Sequence, residues 1–122
     1  MNRHELMHRL SRQPDWRATL MILTRVCPED FRVWRHVNLD REEIAFKKIL
    51  ADGTFSAGER ILLSVAASLF NQEQRVNLWE VFNKLDEQNT ALVLEAIQSF
   101  CQRPPGRENF LTDFSRKNTH PI

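Results

Sequence analysis

The sequence predicts an all-α protein, a compact single-domain bundle of about five to seven helices around a buried central helix near residues 57–70. Three observations carry this expectation. No stretch alternates apolar and polar residues with period two between turn dipeptides, so strands are not expected. Three helix-start patterns, Asp40-x-x-Glu43, Ser56-x-x-Glu59 and Asn77-x-x-Glu80, each place a side-chain acceptor at a helix N-terminus. In each, the carboxylate three residues later can return a bond to the cap's own backbone N–H. Finally, Ile61, Leu62, Leu63, Val65, Ala66, Ala67, Leu69 and Phe70 cover nearly every face of one helix, and a helix apolar all round belongs in the middle of a bundle.

The remaining elements follow in chain order. Leu6, Met7 and Leu10 suggest a short first helix ending before Pro14. Pro14-Asp15 opens a second, with Trp16, Leu20, Leu23 and Cys27 on one face. Pro28 stops it and is expected to serve as the first residue of a third helix, with Glu29 and Asp30 near the positive end. Phe31, Trp34 and Val37 are the expected buried face of that helix. The Asp40 helix should run to Ala51 and stop near Gly53. The Asn77 start adds a hydrophobic staple, Val76 against Val81. Asp86 caps a last long helix through Cys101, which Pro104-Pro105-Gly106 cannot continue. Beyond the break, Phe110, Leu111 and Phe114 stand at helical spacing. The domain is placed at residues 1–115, with residues 116–122 as a polar, disordered tail.

A chain of 122 residues suits one domain and can bury a proper core without staples. The apolar and charged fractions, 42% and 27%, are those of a globular chain rather than a disordered one. Cys27 and Cys101 lie far apart at the ends of apolar helices and are read as free thiols packed as small hydrophobes, which suits a reducing compartment. The start of the chain lacks the apolar stretch of a secretory signal, and the run from Ile61 to Phe70 is about half of what a bilayer requires. The expected location is the cytoplasm, with no membrane association.

Net charge is +1, but it is unevenly placed. Residues 1–39 carry seven arginines against four acids, whereas residues 50–100 carry three basic residues against seven acids. The front of the chain is therefore net +3 and the central stretch net −4.

Two short motifs suggest chemistry. His4-Glu5-Leu6-Met7-His8 spells the H-E-x-x-H pattern of zincin metalloproteases, in which two histidines four apart on a helix grip zinc. It is expected to lie on a fraying terminal helix, and the conceivable third ligand, Glu29, stands beyond a proline break and another helix. Two solvated histidines on a first turn account for it. Phe55-Ser56-Ala57-Gly58-Glu59-Arg60, followed by an apolar helix, resembles over about fifteen residues the signature motif of ABC-type and SMC-type ATPases. That resemblance implies a serine and helix N-terminus meeting a nucleotide phosphate. No G-x-x-x-x-G-K-[ST] loop accompanies it, and a capping box explains the same residues. No catalytic, cofactor-binding or metal-binding residues are assigned, and no cofactor is expected.

The expected function is non-catalytic binding of another protein, as an accessory, adaptor or inhibitor of bacterial, phage or mobile-element type. The candidate interface is Arg9, Arg12, Trp16, Arg17, Arg32, Trp34 and Arg35, because arginine and tryptophan together make interface hot spots. An acidic protein surface is the natural complement. The alternative is a helix-turn-helix-like nucleic-acid-binding regulator built from residues 61–101. Its recognition helix would read Asn89-Thr90-Ala91-Leu92-Val93-Leu94-Glu95, which is apolar and acidic where a phosphate-lined groove favours cations.

Overall fold

The computed structural model describes residues 1–71 and 74–102. Seven helices and one small hairpin follow in order: α1 (Arg3–Leu10), α2 (Pro14–Val26), α3 (Phe31–Trp34), β1 (Val37–Asn38), β2 (Glu43–Ile44), α4 (Phe46–Ala51), α5 (Ala57–Phe70), α6 (Leu78–Lys84) and α7 (Glu87–Cys101). This is the all-α bundle the sequence predicts. The segment holding Phe110, Leu111 and Phe114, and the tail from residue 116, lie outside the described residues.

Side-chain caps set most helix starts. Asn2 accepts from the Glu5 amide and opens α1. The Ser56–Glu59 box is complete, with the Glu59 amide donating to Ser56 Oγ at 3.1 Å and the Ser56 amide donating to Glu59 Oε1 at 2.9 Å. Asn77 accepts from the Glu80 amide, while the Glu80 carboxylate turns toward Lys84 Nζ, 3.5 Å away. Asp86 accepts from the Asn89 amide at 2.7 Å. Each such cap is worth about 1 kcal/mol.

The centre of the bundle is shared by α2 and α5. Helix α5 meets α2, α4, α6 and α7, as expected of a helix apolar on nearly every side. Helix α2 is as central, packing most extensively on α5 and α7 and also on α1. Its buried set is Trp16, Ala18, Thr19, Leu20, Ile22 and Leu23. At one end of the seam, Trp16 meets Phe70 edge-on at 4.9 Å, and Phe46 of α4 joins them at 5.7 Å.

Residues 28–45 differ from the sequence expectation. Asp30, not Pro28, begins the third helix: its carboxylate accepts from the Arg32 amide, and α3 is a single turn. That phase turns Val33 into the core and leaves Phe31 72% exposed. The Asp40-x-x-Glu43 pattern is not a helix start. Val37 pairs with Ile44 and Asn38 with Glu43 in an antiparallel hairpin, so α4 begins only at Phe46. The Arg41 amide donates to Asn38 Oδ1, and Glu42 takes a left-handed conformation (φ 56°) in the turn. Gln13 Nε2 reaches Glu42 Oε1 at 2.9 Å, tying this turn to the α1–α2 connection. The hairpin buries Ile44, which a helix from Asp40 would have had to place in its second turn.

Arginines satisfy the exposed carbonyls at two helix ends. Arg17 donates from Nε to Ser99 Oγ (2.8 Å), from Nη2 to the Ser99 and Gln102 carbonyls (2.6 and 3.3 Å), and from Nη1 to the Ser11 carbonyl (3.4 Å). Arg60 does the same for the Leu50 and Asp52 carbonyls at the end of α4. A guanidinium suits a helix C-terminus both as a donor and as a charge. Arg17→Ala is therefore expected to lower stability to urea by about 1.5–3 kcal/mol, the range for hydrogen bonds to a charged group. Arg12→Ala, at an exposed position, should change it by less than about 0.5 kcal/mol. Equal effects of the two substitutions would contradict this division of roles.

Candidate functional site

The one-turn helix α3 sets the local geometry. Because Asp30 caps it, Arg32 folds back on its own cap. Arg32 Nε and Nη2 donate to the Asp30 carboxylate at 3.0 and 2.6 Å, Nη1 reaches Thr54 Oγ1, and the guanidinium lies 4.1 Å from the Phe55 ring centroid. Glu59 of α5 stands 3.9 Å away. The Arg32 hydrogen bonds hold the Asp30 carboxyl below the usual carboxylate range. Trp34 is half-buried and donates from Nε1 to the Cys27 carbonyl at 2.6 Å. Arg3 of α1 lies over the Trp34 ring at 4.0 Å and reaches the Pro28 carbonyl at 3.4 Å.

Beside this scaffold is a hollow of about 540 Å³ where Arg3, Arg35, His36 and Lys48 converge opposite Asp40 and Glu43. Arg35 is exposed; its Nε donates to His36 Nε2 at 3.1 Å and its guanidinium lies 5.7 Å from the centroid of the exposed Phe31 ring. Partial burial, followed by the charges of Arg35 and Lys48, pushes the His36 imidazole below its usual value, which favours the uncharged ring as acceptor of the Arg35 Nε–H. The hairpin brings Lys48 to this face by returning the chain to His36, whose carbonyl accepts from the Ala45 amide. The arrangement sets the Arg3 and Arg35 cations, each against an aromatic ring, at the edge of a hollow that Lys48 also lines.

The seven residues singled out from the sequence do not form one surface. Trp16 is 3% exposed and belongs to the core, because the face of α2 that carries it is the seam with α5. Arg17 and Arg32 are held by carbonyls and by Asp30 within their own chain. Arg9 and Arg12 are exposed, but Arg9 does not line the hollow; six residues after Arg3 on one helix, it leaves at about 120° from it. Of the seven, only Arg35 lines the hollow, together with Arg3, His36 and Lys48; Trp34 lies beside it under Arg3, and Phe31 beside Arg35. Lys48 and His36 carry no sequence signal, since only the unexpected hairpin makes them neighbours.

Among the described residues, one group of three potential metal ligands lies within 4.8 Å of one another: Cys27, Asp30 and Glu59. Its carboxylates already have partners. Asp30 holds Arg32, and Glu59 Oε1 accepts from the Ser56 amide, so a guanidinium is the cation of this cluster. The His4–His8 pair is exposed on α1 and belongs to no such group. The exposed side of α7 presents Glu87, Gln88, Ala91, Leu94 and Glu95, with no cation of its own; Arg25 of α2 pairs with Glu95 at 2.7 Å.

The chain matches no family model, no curated protein and no solved structure. No helix among the described residues is long and apolar enough to cross a membrane.

Burial, with the nearby charges of Asp30 and Glu59, pushes the Cys27 thiol up to about 11, whereas Cys101 is exposed. Iodoacetamide at pH 8 should therefore modify one thiol per native chain, at Cys101, with Cys27 reacting only after denaturation. Modification of Cys27 in the native protein at a comparable rate would contradict this placement.

Proposed function

We propose that the protein acts without catalysis, by binding an acidic surface of another protein through the hollow lined by Arg3, Arg35, His36 and Lys48, with the Trp34 and Phe31 rings under its two arginines. The observation that supports this reading most is the pairing of exposed Arg35 with the largely exposed Phe31, next to Arg3 on Trp34. An aromatic ring and a guanidinium placed together on the surface are the groups that most often dominate protein interfaces. Clustered cations speed the encounter with an acidic partner and fix its orientation. A role as an accessory, adaptor or inhibitor protein in the cytoplasm fits a small domain with one such face.

Capture from native lysate, identification by mass spectrometry and titration of the purified partner test the proposal. The charge reversals Arg35→Glu and Lys48→Glu together should weaken binding at least tenfold. They should leave the melting temperature within about 2 °C, because surface charges away from networks contribute little to stability. Unchanged affinity would sink the assignment. So would nucleic acid binding whose affinity falls steeply with salt, the mark of phosphate contacts and of a nucleic-acid regulator.

A further inference from the structure

Helix α6 carries a face that the described fold does not use. Val81, and Leu85 just beyond the helix, turn into the core, while Leu78, Trp79 and Phe82 are 60%, 70% and 40% exposed. Their spacing (i, i+1, i+4) places the three side chains within about 100° of arc, so they form one patch. Single exposed apolar residues are ordinary on a protein surface; a contiguous patch containing an exposed tryptophan marks a contact site.

The same spacing recurs in residues 103–122, where Phe110, Leu111 and Phe114 are three of the four large apolar residues. We propose that the apolar face of α6 is the docking site for this chain's own segment 110–114. Reach supports it. The described chain reaches the end of α7, whose fifteen residues span about 22 Å from its start at Glu87, three residues after the end of α6. Residues 103–109 lie between Gln102 and Phe110 and contain Pro104-Pro105, which favour an extended path of about 3.1 Å per residue. Seven residues on such a path can span about 22 Å, which matches the length of α7 back to its start beside α6. Charge supports it as well: residues 101–122 are net +2, against net −4 for residues 50–100, with Asp86 and Glu87 exposed at that junction.

Area decides between this occupant and a second copy of the chain. The three exposed side chains offer on the order of 300–400 Å² of apolar surface, given what large side chains bury. Two such faces meeting across a two-fold axis fall well short of the roughly 1,200–2,000 Å² of a stable dimer. A tethered segment needs far less, because its effective concentration is about millimolar.

Hydrogen exchange on the full chain tests this. Exchange at residues 78–84 should be several-fold faster in the double variant Phe110→Ser/Phe114→Ser than in the native chain, with the difference independent of protein concentration. Exchange in α5 should be unchanged, showing that the bundle is intact. The reciprocal variant Leu78→Ser/Phe82→Ser should speed exchange at residues 108–116. Equal exchange at residues 78–84 in the native chain and the Phe110/Phe114 variant overturns the proposal. Protection of α6 that grows with concentration, alongside a particle of two chains, overturns it in favour of a second copy.

Discussion

The fold depends on how closely α2 can lie against α5. Ala18 and Thr19 on one helix and Ala66 and Ala67 on the other are all fully excluded from water. Thr19 Oγ1 lies 3.5 Å from the Ala66 carbonyl, so even the polar atom of the seam faces the partner helix. Small residues let the two backbones approach, and the larger Ile22, Leu23, Leu62 and Leu63 are buried around them. Helix α7 lays Leu92, Val93 and Ala96 into the same core and packs on α2. The aromatic group of Trp16, Phe46 and Phe70 closes one end of this seam.

A core built from close helices brings helix ends to the surface, where last-turn carbonyls need donors. Arginine supplies them at two of these ends, Arg17 for α7 and Arg60 for α4, and Arg32 neutralises the Asp30 cap of α3. The arginine-rich front of the chain thus falls into two groups, apart from the exposed Arg9 and Arg12 and the Arg25 that pairs with Glu95. One holds the architecture and is satisfied within it. The other, chiefly Arg3 and Arg35, rests on aromatic rings at the rim of a hollow with charge left to offer.

Much of the fold was legible because the strongest signals were local. The Ser56 box, the Asp86 cap, Pro14 at the start of α2 and the all-round apolar character of α5 each act within a turn or two of chain. The hairpin at 37–44 was not legible, because Asp40-x-x-Glu43 satisfies the helix-start pattern while the pairing of Val37 with Ile44 is a tertiary preference. The candidate interface was read from an arginine–aromatic cluster visible in the sequence, and of its members only Trp34 and Arg35 lie at or beside the proposed hollow. Trp16 was misplaced because the same residue type also fills cores. The exposure of Phe31 followed from a cap three residues later than Pro28 suggests, which turned the short helix by most of a turn.

The division of arginines is the centre of this account, and their side-chain ¹⁵N–¹H NMR signals report on it directly. Titration with a glutamate-rich peptide should shift the Nε–H signals of Arg3 and Arg35 and the Trp34 indole signal. Those of Arg17, Arg32 and Arg60 should stay in place, and Arg9 and Arg12 should respond weakly. Uniform shifts across Arg9, Arg12 and Arg75, as diffuse charge screening produces, or an unmoved Arg35 signal, would contradict it.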